Sequence, residues 1–348
     1  MSNHTASRIW TRRLLTATSI AAIATIGLAA CSSSTPSSGS SSGSSSKKSL
    51  TIGFVVGASS DPFFQAMKVG AQNEANALGD KLIFQGNATT YSPATQIPVV
   101  NQVLAEKPDG LALAPTDPVA LQSEVTKAVA DKIPVVNVDS QVNDLSQVVS
   151  FITGDNNDGG QKAADEMAKA IGYKSGGSYQ VVVGLTSATA STNVARLNGF
   201  KKEIAAKFPG ITIAATGYSQ SNSTTANANI NNWLTEFPKL SGIFAIDGTN
   251  ATGAASALQA KNLTGKIALI GYDAYQTNVD LISKGVFTAL IAQDPAQEGK
   301  DAIDTLDKYI RSGDKSTGIQ KSVTLPNILL DKSTSAADLK KYTYVQNG

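Results

Sequence analysis

The sequence predicts an α/β protein built from two doubly wound, largely parallel sheets. Three observations lead there. Short, continuously apolar, β-branched runs alternate with helical stretches along most of the chain, the signature of right-handed strand–helix–strand units covered on both faces. The alternation pauses near residues 148–156 and then resumes, which suggests two lobes without by itself proving them. The alternating part, near 50–333, is about 280 residues long, enough for two lobes of ordinary domain size.

Two segments precede the first strand. Residues 1–30 carry Arg8, Arg12 and Arg13, then a largely apolar run from Leu14 to Ala30, and lead into LAAC (28–31), which reads as an export signal. The run is threonine-spotted and shorter than the roughly 20 apolar residues of a membrane span. The adjacent Arg12 and Arg13 also admit twin-arginine export. Small residues before Cys31 resemble a lipoprotein signal, and the resemblance implies cleavage that leaves Cys31 as a lipidated N-terminus. Cys31 is the only cysteine, so no internal disulfide can form. The rest of segment 31–49, SSSTPSSGSSSGSSSKKS, is too polar and glycine-rich to bury anything and is expected to be a flexible tether.

The first strand is LTIGFVV (50–56). It runs into ASSDPFFQAM (58–67), where Asp61 and Pro62 open a helix over 63–78. Phe64, Met67, Ala71, Ala75 and Leu78 share one helical face toward the sheet; Phe63 is displaced by about 100° and free to meet a cleft. Strands follow at KLIFQ (81–85), GLALA (110–114), PVVNV (134–138) and VVSFI (148–152), with helices at 93–106 and 118–131. After the pause come a helix at 158–171 and strands YQVVV (179–183), ITIAAT (211–216), GIFAI (242–246), IALIGY (267–272) and FTALIA (287–292). Helices at 192–207, 222–236, 249–261 and 275–284 separate them, and one at 295–311 follows. The tail ADLKKYTYVQNG (337–348) is expected on the surface.

Ligands of open α/β sheets sit beyond the carboxyl ends of the strands. The residues found there are Asp61 to Phe64, Thr116 and Asp117, Asp139, Asp155 and Asn156, Asp247, Asp273 and Gln293. An aspartate at a strand end often only caps the next helix. Several of them after apolar strands, with Arg196 near the start of a helix, make a set of acceptors and one planar donor. A sugar has apolar ring faces and a hydroxyl rim, which aromatic plates and fixed carboxylates match.

Other chemistries are excluded by what is missing. The only histidine, His4, lies in the export segment, so a histidine-based triad or metal cluster cannot be built, and no metal or cofactor is expected. No GxxxxGK[ST] loop occurs, and GASSDP lacks the GxGxxG spacing. A net charge of +2 with no basic aromatic stripe argues against nucleic acid. A glycosidase needs a carboxylate pair, which the chain could supply, but an enzyme is the least favoured class.

The segments DPFFQAMKVGAQNEANALG, DGLALAPTD, IPVVNVD, ITGDNNDGGQKAA, ARLNGF, GIFAID, IALIGYDAY and LIAQDPAQEGKDA, in that order, resemble the ribose/galactose-type substrate-binding proteins of sugar ABC importers over about 50–330. The resemblance implies two similar Rossmann-like lobes joined by three strands at a hinge, the type I periplasmic binding protein fold. Crossings near 153–156, 292–295 and 321–325 would give one lobe of 50–152 plus 294–322 and another of 153–293 plus 323–333. It implies sugar contacts from Asp61, Phe63, Phe64 and Asp139 in the first lobe, Arg196, Asp247 and Asp273 in the second, and Gln293. Asp61 and Asp247 stand where an amide is common. Two positions depart from the ribose pattern: Ser140 replaces an arginine and Ser221 an aromatic, for which Tyr218, Trp233 or Tyr275 could substitute. The implied function is a monomeric, extracytoplasmic, lipid-anchored protein that closes on a small neutral sugar or polyol and delivers it to an ABC permease with its ATPase. A receptor-coupled sugar sensor and a binder of a small cation are the alternatives; four aspartates would repel an anionic sugar.

Overall fold

A computed structural model describes residues 48–344. The export segment, Cys31 and all of the tether before residue 48 lie outside the described residues, as do residues 345–348.

The described strands are β1 (Thr51–Ala58), β2 (Lys81–Asn87), β3 (Gly110–Leu113), β4 (Val135–Val138), β5 (Ser150–Gly154), β6 (Tyr179–Leu185), β7 (Ile211–Tyr218), β8 (Leu240–Ala245), β9 (Ala268–Tyr272), β10 (Ala289–Ala292), β11 (Ser322–Leu325) and β12 (Ile328–Asp331). They form two six-stranded sheets, ordered β11-β5-β4-β3-β1-β2 and β12-β10-β9-β8-β6-β7. The second order repeats the first, strand for strand. The central strands β3 (GLAL) and β4 (VVNV) are buried at every position, and they read as nearly continuous apolar runs, interrupted only by Asn137, which donates to the carbonyls of Leu113 and Ser140.

The helices are α1 (Pro62–Leu78), α2 (Pro93–Ala105), α3 (Gln122–Ala130), α4 (Asn156–Ala170), α5 (Ser191–Lys207), α6 (Ser223–Glu236), α7 (Gly248–Ala260), α8 (Gln276–Val279), α9 (Pro295–Arg311) and α10 (Ala336–Tyr342). α4 leaves the end of β5 and packs on α5, whereas α9 leaves the end of β10 and packs on α1. Each is a helix handed from one sheet to the other. Both crossings depend on a glycine from each helix. A Cβ at Gly160 of α4 would overlap the carbonyl oxygen of Arg196, and one at Gly199 of α5 that of Asn157. Gly70 of α1 against Ala296, and Gly299 of α9 against Met67, repeat the arrangement in the other half.

Three features differ from the sequence expectation. First, β11 pairs with β5 through Leu325 and Gly154, so residues 323–325 belong to the first sheet, and the third crossing falls at Pro326 and Asn327 rather than 321–325. Pro326 has no N–H to extend the ladder, and β11 stops there. Second, β12 runs antiparallel to β10, so the second sheet is not wholly parallel. Third, the helix expected at 275–284 is only the single turn of α8, while an unexpected α10 brings Tyr344 to 5% exposure, so the tail is not wholly a surface segment.

Candidate functional site

The site is assembled from backbone turns at strand ends. In α1, Pro62 sits in the first turn and Asp61 caps it, Oδ1 accepting from Phe63 N (2.9 Å). Asp139 follows β4 and Asp273 follows β9, the matching strands of the two sheets. Both take the left-handed conformation, φ 59° and 66°, and each donates its N–H to the neighbouring strand, to Ile152 and Ile291 respectively (2.8 Å each). Aspartate tolerates this backbone at modest cost, and it recurs at both strand ends.

Asp247 caps α7 through Asn250 N (2.9 Å), and its Oδ2 accepts from Thr186 Oγ1 (2.8 Å) and Asn250 Nδ2 (2.7 Å). Asp273 accepts from Gly248 N at Oδ2 (2.9 Å) and from Gln293 Nε2 at Oδ1 (2.7 Å). Arg196, 3% exposed, donates from Nε to Asn156 Oδ1 (2.7 Å) and from Nη1 to the carbonyl of Ile246 (3.0 Å), with its guanidinium 3.8 Å over the Tyr272 ring. Asn156 is oriented by donating to Thr153 Oγ1 and the Gly154 carbonyl. The guanidinium is therefore fixed before any ligand arrives.

All eight residues named from the sequence face one small cavity: Asp61, Phe63, Phe64, Asp139, Arg196, Asp247, Asp273 and Gln293. Phe63 and Phe64 meet edge to face at 5.3 Å, and both are buried as well as lining, so neither ring is purely core or purely cleft. Of the three candidate replacement aromatics, Tyr275 lines the cavity, its ring laid against Gly248, where a side chain would collide with it. Tyr218 is half exposed, and Trp233 is buried in the core against Gly217. Ser221 does line the wall, and Ser140 donates to Asp139 Oδ2 (3.1 Å). Thr116 and Asp117 stay outside; Asp117 caps the following turn through Val119 N and Ala120 N.

Sequence reading missed Tyr91, Thr186, Thr192 and Asn193 in the wall. The last three lie in TSATASTN after β6, and their position at a strand end was the only available signal. The cavity lies between the halves, which also touch directly. The Tyr275 hydroxyl donates to Asp61 Oδ1, Thr249 Oγ1 to Asp61 Oδ2 (3.3 Å), and Gln141 N to Ser191 Oγ (2.8 Å).

Burial sets the charge state. It raises the Asp61 carboxyl to about 7, against the lowering effect of the Tyr275 bond. It raises Asp139 to about 6, with the Arg196 guanidinium pulling the other way, and raises Asp247 too. Behind the wall, Glu298 in the first turn of α9 is fully buried with neither carboxyl oxygen paired, and burial drives it well above the ordinary range. Burial thus pushes all four of these acid groups toward their neutral forms. Among the described residues, no cluster of three histidine, cysteine or acidic groups is placed to hold a metal, and no helix is long and apolar enough to cross a membrane.

Residues 52–315 match the periplasmic binding protein domain. The chain is 30% identical over 262 residues to the ribose import binding protein of Escherichia coli, covering 75% of this chain and 85% of that protein. It is 29% identical over 300 residues to the ribose import binding protein of Bacillus subtilis, covering 86% and 93%. An ABC transporter solute-binding protein from Agrobacterium vitis, bound with alpha-D-tagatopyranose, superposes with a TM-score of 0.78 at 29% identity, covering 85% of this chain and 99% of that one. A second from the same organism, with bound D-fucose, gives 0.79 at 28% identity, covering 84% and 100%. These relatives are binding proteins rather than enzymes, and the chain belongs to the periplasmic binding protein family, as a type I sugar-binding protein.

Proposed function

We propose that this protein captures one neutral monosaccharide or polyol in the cavity between its two sheets and presents the closed form to an ABC permease. The observation that carries the reading is the convergence of four aspartates from four separate strand ends, together with Arg196, Phe63, Phe64 and Tyr275, on a single space. Hydroxyls would donate to the carboxylates, and the guanidinium, anchored through Nε and Nη1, would offer Nη2 to a ligand oxygen. The aromatic rings would cover the C–H faces of the sugar.

The two sheets would act as lobes hinged at the three crossings, and a ligand that touches both would stabilise closure. Cys31 would carry the lipid and residues 32–49 the tether that holds the protein outside the cytoplasm. A thermal-shift screen across pentoses, hexoses, inositols, linear polyols and organic amines, followed by calorimetry of the hit, tests this. A sugar or polyol should raise Tm and bind at one site per chain. Stabilisation by amines alone would replace the proposal with the cation-binding reading.

A further inference from the structure

The C-terminal segment offers a feature that the cavity does not account for. α10 has no buried residue, yet Tyr344, two positions beyond its end, is 5% exposed. Its backbone N–H donates to the Ala274 carbonyl (2.9 Å). Its hydroxyl accepts from Gln293 N (3.0 Å) and donates to Asp273 Oδ1 (3.0 Å). Its ring lies 6.0 Å from Phe63, in the first half of the molecule, and 6.1 Å from Tyr275, in the second. Burial pushes the phenol well above its ordinary range, so it remains a donor at neutral pH. Tyr344 stands behind Asp273, Gln293 and Phe63 rather than in the cavity wall.

We infer that Tyr344 is a positioning residue that sets sugar specificity by fixing the Asp273 carboxylate and the Phe63 ring from outside the cavity. The inference rests on the sugar-capture reading above. A carboxylate offers about four lone-pair sites. Gln293 Nε2 and the Tyr344 hydroxyl occupy Oδ1, and Gly248 N takes one site on Oδ2. One site on Oδ2 is left, so Asp273 receives a single ligand hydroxyl in a fixed direction. A sugar with that hydroxyl inverted loses the bond and leaves a buried acceptor unpaired. Without the Tyr344 hydroxyl, one site on Oδ1 is freed, the carboxylate is held less firmly, and an inverted hydroxyl finds a partner.

The test is calorimetry of the best sugar and its single-centre epimers with wild type and Tyr344→Phe, in the full-length chain, with thermal unfolding of both proteins. Tyr344→Phe keeps the ring and removes only the hydroxyl. The expected result is about tenfold weaker binding of the best sugar together with a smaller ratio between it and its epimers. An unchanged affinity and ratio would overturn the inference, as would a uniform loss for all sugars that follows a fall in Tm. If wild type binds no sugar, the capture proposal itself falls and this inference with it; if wild type binds and Tyr344→Phe matches it, only this inference falls.

Discussion

Asp61 carries several roles at once, because it caps a helix, bridges the cleft and is only partly exposed. Its carboxyl titrates at about 7 in the folded protein against 3.8 unexposed to these effects. The folded state therefore keeps its proton longer than the unfolded chain. Stability from this group is full below pH 3.8 and is lost as pH rises to about 7. Asp61→Asn retains the cap and removes that loss. Its Tm should exceed wild type by about 2–4 °C at pH 8, and the gap should close as pH falls toward 4; a gap independent of pH would contradict the assignment. Arg196 is a structural member of the second half as well as a donor, so Arg196→Ala should abolish sugar binding and also cost about 3 kcal/mol by leaving buried carboxylates uncompensated. Chemical denaturation alongside calorimetry separates the two effects, and retained affinity would remove Arg196 from the site. The charged members of the site were legible because an aspartate or arginine at a strand end stands out against apolar strands. Tyr91, Thr186, Thr192 and Asn193 were not, since uncharged side chains in a loop give no such contrast. Tyr344 was hidden for a different reason: its burial depends on the tail folding back across β9 and β10, which no local pattern encodes.

At the level of elements, the α4–α5 crossing controls where Arg196 stands. Gly160 touches the carbonyl of Arg196 itself, so Gly160→Ala must push that turn of α5 away. It should destabilise by about 1–3 kcal/mol and weaken sugar binding by more than tenfold, whereas Gly70→Ala at the matching α1–α9 crossing should cost similar stability with the position of Arg196 unchanged. Equal binding losses in both variants would show that the crossings act only through overall stability. Phe63 belongs to two elements at once, since it packs on Phe64 in α1 and on Tyr344 from the tail. Phe63→Ala should therefore lose about 3 kcal/mol of stability as well as affinity, and unchanged denaturation would mean that Phe63 faces only the cleft. Most strands and helices were readable because their cores are long and unambiguous, as in β1 and α1. β11 and β12 escaped because each is four residues long and mostly only partly buried, too short for a periodic signal.

For the whole molecule, the repeat of one strand order in two sheets, with α4 and α9 exchanged between them, places matched strand ends opposite each other. Asp139 and Asp273 are the clearest pair, each following the third-listed strand of its sheet in the same left-handed backbone. Hydrogen bonds of Asp61 with Tyr275 and Thr249, and of Gln141 with Ser191, join the two halves directly. A ligand gripped from both sides adds to them. The α/β class and the division into two halves followed from alternation and length, but the reversed β12 and the late third crossing did not, because β11 and β12 are too short to read. The most direct test is calorimetry of the selected sugar with Asp139→Asn and Asp273→Asn, one carboxylate from each sheet. If both halves hold the same ligand, each variant loses ten- to a hundredfold in affinity while circular dichroism stays native. If either variant titrates like wild type, the ligand is held from one side and the two-sided account is wrong.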